Sequence, residues 1–138
     1  MMKMIIHGCN GVMGQNVAEM AAKDAKVMIV AGIDYNVNAR QNPFPVFSAL
    51  TECDVEADVV VDFSSAVAVD GLLDACVAKR LPLVLCTTGL SEEQLAHVAE
   101  ASKVIPILRS GNMSLGINLL MKVVEEVAGV LLSAEFDT

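Results

Sequence analysis

The sequence predicts an α/β fold in which a parallel sheet is covered by helices on both faces, the doubly wound arrangement. Short apolar runs alternate along the chain with longer stretches whose apolar residues recur at helical spacing. The short runs are rich in β-branched residues, as expected for strands that are buried on both faces. With 54% hydrophobic, 4% aromatic and 19% charged residues, the 138 residues are expected to form one domain, residues 1–138.

The first strand is predicted in the apolar run before Gly8, and it leads directly into a glycine-rich turn, Gly8-Cys9-Asn10-Gly11-Val12-Met13-Gly14. Gly8 lets the chain turn off the strand, Gly11 lets backbone approach a pyrophosphate, and Gly14 lets the next helix pack closely. Phosphates would then bind the N–H groups at the helix N-terminus. The spacing G-x-x-G-x-x-G is weaker than the common fingerprint, and a turn without a ligand remains an alternative.

A helix is expected over about Gln15 to Lys23, with Val17, Met20 and Ala21 on one side. The next apolar run, from Val27 to Ile33, predicts the second strand and ends in Asp34. This acid lies 20 residues after Gly14, where a dinucleotide site has a carboxylate for the ribose hydroxyls. Although an acid at a strand end is also a common turn residue, the combination favours a Rossmann-type dinucleotide site.

A polar loop from Tyr35 to Pro45 follows, which we expect to be mobile and to border the adenosine end of the site. A short helix or turn is expected around Phe47 to Leu50. The run Val59 to Phe63 predicts the third strand. Ser64 and Ser65 then offer N-caps for a helix that runs to about Arg80, with these residues inward: Val69, Leu72, Leu73, Cys76 and Val77.

The fourth strand is predicted at Leu83 to Cys86, and the motif Ser91-Glu92-Glu93-Gln94 predicts a capping box at the start of the next helix. A fifth strand is expected at Val104 to Leu108, where Pro106 requires an edge or a bulge. A long helix follows from about Leu115 to Leu132. Its apolar face is too wide for one sheet and is expected to promote self-association; it comprises Leu119, Leu120, Val123, Val124, Val127 and Leu131. The residues from Glu135 to Thr138 look like the beginning of another strand.

Charge and composition exclude several classes of function. The formal net charge of −8, without a cluster of Lys and Arg, argues against a nucleic-acid surface. No stretch is long enough for a membrane-spanning helix, and the apolar start differs from a signal peptide. No metal-binding spacing joins the two histidines to the four cysteines, which are Cys9, Cys53, Cys76 and Cys86. The cysteines are expected to be reduced and buried in a cytoplasmic protein that has no metal site.

Ligands bind doubly wound sheets at the carboxyl ends of the strands, and the unusual turns of this chain all follow predicted strands. In addition to the glycine turn and Asp34, these are Asp62-Phe63-Ser64, Cys86-Thr87-Thr88-Gly89-Leu90 and Ser110-Gly111-Asn112-Met113-Ser114-Leu115-Gly116-Ile117-Asn118. In this order, and over nearly the whole chain, they resemble the nucleotide-binding part of the dihydrodipicolinate reductase family. The resemblance implies hydride transfer from NADH or NADPH to the cyclic imine formed from 4-hydroxy-tetrahydrodipicolinate, in lysine and diaminopimelate biosynthesis.

The resemblance also implies roles for individual residues. By motif position, Asp34 would hold the adenine ribose, and the pyrophosphate would contact Gly8, Cys9, Asn10, Gly11, Val12 and Met13. The nicotinamide side would be formed by Cys86, Thr87, Thr88, Ser110, Gly111, Asn112 and Met113. Cys86 stands where the family often has Gly, which leaves a backbone contact possible. Tyr35 follows Asp34 where some members have Arg, and no cation precedes Arg40, so NADH is expected to bind at least as tightly as NADPH.

Members of the family place their catalytic histidines and substrate loop in a second domain, which also builds a homotetramer and begins about where this chain ends. The chain is therefore expected to be a fragment that binds the cofactor but contributes no catalytic residue. His7, beside the glycine turn, and His97, within a helix, have structural or solvated roles in this interpretation. A non-catalytic nucleotide-binding or redox-sensing module, and a purely structural α/β domain, remain alternatives.

Overall fold

The computed structural model describes residues 1–111 and 115–133. These residues form a parallel β-sheet and the helices that pack against it. Its six strands lie in the order β3-β2-β1-β4-β5-β6. They are β1 (Met2–His7), β2 (Val27–Ile33), β3 (Val46–Phe47), β4 (Val59–Asp62), β5 (Leu83–Leu85) and β6 (Ile107–Arg109). Every neighbouring pair is parallel, so the carboxyl ends of these strands lie at one edge. The strand order reverses at β1, and such a reversal opens a crevice for a ligand.

Helices cover both faces of the sheet, which confirms the predicted doubly wound fold. They are α1 (Val12–Ala21), α2 (Ala66–Lys79), α3 (Glu92–Ala101) and α4 (Leu115–Ser133), together with a 3-10 helix at Leu50–Glu52. Alternate residues of β1 point to opposite faces, as a strand requires. Ile5 belongs to the core under α2 and α3. Met4 and Ile6 belong to the core under α1, which also contains Phe44.

Local sequence signals explain where several helices begin and end. Ser91 accepts a hydrogen bond from the Gln94 N–H over 3.2 Å, and the Gln94 side chain accepts one from the Ser91 N–H over 3.1 Å. The predicted capping box of α3 is thereby confirmed. Ser65 occupies the N-cap position of α2, but its side chain makes no capping hydrogen bond. The helix ends at Lys79, and its C-cap, Arg80, has a left-handed φ of 54°.

Some element boundaries differ from the prediction. Helix α1 begins at Val12, three residues before the predicted start, and Gly11 is its N-cap. Met20, which the helical spacing places on one side with Val17 and Ala21, is 71% exposed. The short strand β3 was not predicted, and the short helix lies at Leu50–Glu52 instead of around Phe47 to Leu50.

Strand β6 is also shorter than predicted, because it begins at Ile107, after Pro106. Since β6 is the edge strand of the described sheet, the missing N–H of Pro106 leaves no inner strand unpaired. The Pro106 carbonyl still accepts a hydrogen bond from the Leu83 N–H.

Helix α4 has the predicted extent and exposes much of its apolar surface. Eight of its described apolar side chains are between 42% and 68% exposed: Ile117, Leu119, Leu120, Met121, Val123, Val124, Val127 and Val130. Within the described residues, no helix is long and apolar enough to cross a membrane. The strand expected to begin at Glu135 lies outside the described residues.

Candidate dinucleotide-binding site

The glycine turn joins β1 to α1 and depends on close backbone packing. Gly8 has a φ of 77°, which L side chains rarely adopt. A Cβ atom at Gly8 would also lie 2.6 Å from the carbonyl oxygen of Phe63. A Cβ atom at Gly14 would overlap the Gly8 carbonyl oxygen. Helix α1 can therefore pack this closely against the turn only if residue 14 is glycine. The predicted structural roles of these two glycines are therefore confirmed.

The N-terminus of α1 is suited to an anion. Gly11 is its N-cap, so no side chain caps the helix, and no acidic residue lies in the first turn. The first N–H groups of a helix have no partner within it, and they carry a partial positive charge. At Gly11, a Cβ atom would have only the Gly8 carbonyl oxygen within 4 Å, at 3.3 Å, so the outer side of the turn is open. The geometry fits a pyrophosphate held by backbone.

Asp34 follows β2 and bonds directly to the glycine turn. One carboxylate oxygen accepts a hydrogen bond from the Asn10 N–H over 3.0 Å, and the other accepts one from the Asn36 N–H over 3.1 Å. An ionised carboxylate has about four acceptor positions, so these bonds leave capacity for a ligand. The two predicted parts of the site, the glycine turn and the acid, are thus brought together.

The side chain of Asn10 ties the polar loop of residues 35–45 to the turn. Its amide nitrogen donates to the Asn36 carbonyl over 2.7 Å, and its amide oxygen accepts from the Asn42 side chain over 2.8 Å. Gln15 adds bonds of 2.9 Å each to Asn42 and to the Cys9 carbonyl. The polar composition of this loop, which we expected to be mobile, did not predict these contacts.

A cavity of about 340 Å³ lies at this end of the sheet. Four predicted site residues line it, namely Gly8, Asn10, Gly11 and Asp34. Nine further residues were not predicted as site residues: His7, Tyr35, Asn36, Ala39, Ser48, Phe63, Ser64, Ser65 and Ala68. Ser64 belongs to a segment that the sequence had singled out after the third strand, so its position after β4 was the available signal.

The other predicted site residues of the turn, Cys9, Val12 and Met13, do not line this cavity. The side chain of Cys9 is fully buried in the core under α1, so only its backbone can contact a ligand. Burial, together with the charge of Asp34, raises the pKa of the Cys9 thiol to about 11. Val12 and Met13 are 74% and 50% exposed at the start of α1.

A buried hydrogen-bond network lies at the ends of β1, β4 and β5. His7 and Asp62 share a bond of 2.6 Å, and the Thr87 hydroxyl donates to the other oxygen of Asp62 over 2.6 Å. The Ser64 N–H also donates to Asp62 over 3.1 Å. Burial alone would raise the pKa of Asp62, but these hydrogen bonds outweigh it and hold that pKa below its usual value. The His7 side chain thus has a structural partner in Asp62, and Thr87 joins the same network.

The predicted nicotinamide side lies at the ends of β5 and β6. The Ser110 N–H donates to the Leu85 carbonyl, and a Cβ atom at Gly111 would lie 3.2 Å from the Thr88 methyl group. Cys86 is buried, and burial raises the pKa of its thiol. These residues are adjacent to one another, but they do not line the cavity beside Asp34. Asn112 and Met113 lie outside the described residues.

The second histidine, His97, bridges two helices on the surface. It contacts Asp70 at 2.8 Å and Asp74 at 3.2 Å, both on α2. In the described part of the chain, no group of three or more His, Cys, Asp or Glu could hold a metal ion. All four cysteines are free and buried, as expected.

Comparisons with known proteins agree with this architecture. The model of the family described as "Dihydrodipicolinate reductase, N-terminus" matches residues 2–113. A 4-hydroxy-tetrahydrodipicolinate reductase from Caldanaerobacter subterraneus subsp. tengcongensis is 51% identical over 131 residues, which are 95% of this chain and 51% of the relative. The chain thus spans about half the length of the curated relatives that it matches.

Two solved structures share the fold at low sequence identity. A dihydrodipicolinate reductase from Paenisporosarcina sp. TG-14, with dipicolinate bound, has a TM-score of 0.81 at 23% identity, covering 93% of this chain and 54% of that one. The WlbA dehydrogenase from Bordetella pertussis, in complex with NADH and UDP-GlcNAcA, has a TM-score of 0.73 at 16% identity, covering 91% and 42%. The family match covers most of the chain, and the chain therefore belongs to the dihydrodipicolinate reductase family, whose N-terminal part it matches.

Proposed function

We propose that this chain is the nucleotide-binding part of a 4-hydroxy-tetrahydrodipicolinate reductase and binds NADH or NADPH at the carboxyl edge of the sheet. The observation that carries the proposal is a cavity lined by both the glycine turn and Asp34, with the Asn10 N–H joining the two. The relative that shares 51% identity is named as such a reductase, and the WlbA structure contains NADH.

In this proposal the pyrophosphate binds the backbone from Gly8 to Met13, at the N-terminus of α1. Asp34 accepts hydrogen bonds from the hydroxyls of the adenine ribose, and its bond to Asn10 fixes the carboxylate in place. The nicotinamide side contacts two segments, Cys86 to Thr88 and Ser110 to Met113. When bound, the cofactor supplies a hydride for reduction. The network of His7, Asp62 and Thr87 positions the strand ends between the two halves of the site.

Asp34 also bears on the choice of cofactor. Its carboxylate favours a free ribose diol, whereas a 2′-phosphate brings like charge against it. We expect NADH to bind at least as tightly as NADPH, with a preference of roughly 1 kcal/mol, the scale of one net hydrogen bond.

The whole enzyme, in this proposal, is a cytoplasmic homotetramer that reduces the cyclic imine derived from 4-hydroxy-tetrahydrodipicolinate. Residues 1–138 act as one dinucleotide-binding domain and bind the cofactor without turnover, because hydride transfer also requires a bound substrate and a proton donor. His7 and His97 are engaged with aspartates and do not supply that donor. Robust reductase activity of the purified chain would contradict this part of the proposal.

The test is a calorimetric titration of NADH into the chain and into Asp34→Ala. We expect the substitution to weaken NADH binding roughly tenfold, because hydrogen bonds from the ribose to a charged acceptor are lost. Asp54→Ala is the matched control, since Asp54 is exposed and does not line the cavity beside the glycine turn. If the unsubstituted chain bound neither NADH nor NADPH, the proposed function would be wrong.

A further inference from the structure

His7 lies where two cavities meet. It is the last residue of β1, directly before the glycine turn, and it lines the cavity of about 340 Å³ that also contains Asp34. It lines a second cavity of about 240 Å³ as well, and the two cavities share Ser48 and Ala68. The His7 ring therefore forms part of the wall of both, although its side chain is only 12% exposed.

The bond to Asp62 determines which ring nitrogen of His7 carries the hydrogen. Burial acts to raise the pKa of Asp62, but its hydrogen bonds hold that pKa below the usual value, so the carboxyl is ionised at neutral pH. An ionised carboxylate accepts hydrogen bonds and donates none. The Nδ1 atom of His7, 2.6 Å from Asp62, must therefore be the donor. The neutral imidazole thus has its hydrogen on Nδ1 and a lone pair on Nε2.

The Nε2 atom of His7 is open to a ligand. Among the described residues, His7 makes its ring hydrogen bond through Nδ1 and none through Nε2. No buried side-chain nitrogen or oxygen in the described part of the chain lacks a partner, so Nε2 is not enclosed in the core. The accessible part of the ring faces the cavities that it lines. His7 therefore presents a hydrogen-bond acceptor in a fixed orientation.

The second cavity is suited to an apolar ring. Leu50 and Thr51 line it from the 3-10 helix, and Gly71 and Leu72 line it from α2. A Cβ atom at Gly71 would have no neighbour within 4 Å, so there is free space beside this part of α2. The described lining residues include no Lys, Arg, Asp or Glu. Ligand pockets commonly combine such walls with a few polar groups that fix the orientation of the ligand, and the His7 Nε2 is such a group.

The donor groups of the dinucleotide indicate what Nε2 would bind. The adenosine half has three of them, which are the two ribose hydroxyls and the amino group of the adenine. In the proposed function Asp34 accepts hydrogen bonds from the hydroxyls. The nicotinamide carboxamide also donates, but the segment from Cys86 to Thr88 does not line the cavity beside Asp34. The adenine amino group is thus the donor that still requires an acceptor in this cavity.

We propose that His7 is a specificity-determining residue of the dinucleotide site, whose Nε2 accepts a hydrogen bond from the adenine amino group at the junction of the two cavities. The inference rests on the proposed function and deepens it. Asp62 is the positioning residue, because its bond to Nδ1 fixes both the tautomer and the orientation of the ring. His7 then has a role in binding in addition to the structural role that the sequence indicates.

The experiment compares NADH with reduced nicotinamide hypoxanthine dinucleotide, in which a carbonyl oxygen replaces the adenine amino group. The unsubstituted chain is expected to bind NADH about tenfold more tightly, because in the analogue an acceptor would face the Nε2 lone pair. His7→Asn keeps an N–H for Asp62, but its shorter amide places no acceptor where Nε2 stood. This variant is expected to bind the two dinucleotides within about twofold of each other.

His97→Gln is the control for the binding experiment. His97 is bonded to Asp70 and Asp74 on the surface and lines neither cavity. The variant should therefore keep the preference of about tenfold for NADH.

Nitrogen NMR of the histidine rings tests the inference in the unsubstituted chain. The chain has two histidines, and His97→Gln identifies the signals of His7. At slightly alkaline pH we expect the hydrogen on Nδ1 and none on Nε2. The Nε2 signal should shift when NADH saturates the chain, and it should shift less with the hypoxanthine dinucleotide.

Four outcomes would overturn the inference while NADH binding still supported the proposed function. They are a hydrogen on Nε2, an Nε2 signal that NADH leaves unchanged, equal affinities of the unsubstituted chain for the two dinucleotides, and a preference for NADH that persists in His7→Asn. If the unsubstituted chain bound no dinucleotide, the inference and the proposed function would both fail.

Discussion

The backbone N–H of Asn10 donates a hydrogen bond to the carboxylate of Asp34 over 3.0 Å, although 24 residues separate them in the sequence. The bond connects the turn after β1 to the end of β2, the two neighbouring strands at which a dinucleotide site is built. The glycine turn and Asp34, the two parts of the proposed adenosine site, are therefore already aligned in the protein without a ligand, and such alignment lowers the entropic cost of binding.

Gly8→Ala tests the backbone of the turn. The substitution places a side chain at a φ of 77° and a Cβ atom 2.6 Å from the Phe63 carbonyl oxygen. We expect the free energy of unfolding to fall by at least about 2 kcal/mol, from backbone strain and overlap together. Gly71→Ala is the matched control. It lies within α2 and its Cβ atom would have no neighbour within 4 Å, so urea denaturation should show a gain of about 0.5–1 kcal/mol.

Asp62→Asn tests the buried network. The substitution removes the charge that accepts hydrogen bonds from His7, Thr87 and the Ser64 N–H. We expect a loss of about 2–4 kcal/mol in the free energy of unfolding at pH 7, measured in urea. Asp58→Asn is the control, because Asp58 also accepts a backbone hydrogen bond but is exposed, and it should cost less than about 1 kcal/mol. If both variants lost a similar amount of unfolding free energy, burial of the network would contribute little to stability.

The contribution of the Asp62 carboxylate to the free energy of unfolding should depend on pH. The pKa of Asp62 lies below its unfolded value, so its contribution to stability is present above the usual aspartate pKa of about 3.9 and disappears as pH falls through the lower, folded pKa. We expect the stability of the unsubstituted chain to decline more steeply in acid than that of Asp62→Asn. Parallel declines between pH 5 and the acid transition would contradict this assignment.

His97 has the opposite dependence on pH. Its hydrogen bond to Asp70 raises its pKa above the usual value, against a smaller effect of burial, and Asp74 adds to the rise. A raised histidine pKa stabilises the fold below the unfolded value of about 6.5, and this contribution is lost as pH rises through the folded pKa. The melting temperature should therefore fall by only a few degrees on going from slightly acidic to slightly alkaline pH, since the pair is solvent-exposed. In His97→Gln this part of the pH dependence should be absent.

The apolar surface of α4 predicts self-association of the isolated chain. Leu120, Val124 and Val127 are each more than half exposed, and patches of this kind favour contacts between molecules. We expect light scattering to show a mass that rises with protein concentration. The double variant Val124→Lys, Val127→Lys should reduce that rise, because it places charge on the patch. A concentration-independent monomer in the unsubstituted chain would contradict the prediction.

The sequence predicted the fold because its strongest signals are local. The glycine turn, the acid 20 residues after Gly14 and the capping box at Ser91 each act within a few residues of a helix or strand end. Strand β3 was missed because Val46 and Phe47 form a run too short to show a period, and they follow Pro45. The exposure of Met20 was not predicted, because helical spacing shows which residues share a face but not how much of that face is covered.

The parts of the site that the sequence did not predict depend on contacts between distant residues. Asn10 bonds to Asn36 and Asn42, at separations of 26 and 32 residues, and His7 bonds to Asp62 at a separation of 55. Such pairs follow from strand order and loop path, which no local pattern specifies. For the same reason, the proximity of Arg40 to the glycine turn became visible only in the structure.

The hydrogen bonds of Asn10 also affect how fast this residue can deamidate. Asparagine is a thermolabile residue, and an asparagine followed by glycine loses ammonia when the glycine nitrogen attacks the side-chain carbonyl carbon and closes an imide ring. Here the Gly11 N–H is bonded to the Gly8 carbonyl over 3.1 Å, and both ends of the Asn10 amide are held by the loop. The nitrogen and the carbon are thus kept from the geometry that ring closure requires. Deamidation at this pair should be slow in the folded chain and fast after unfolding, so the mass of the Asn10-Gly11 peptide records how long a sample has spent with the loop released.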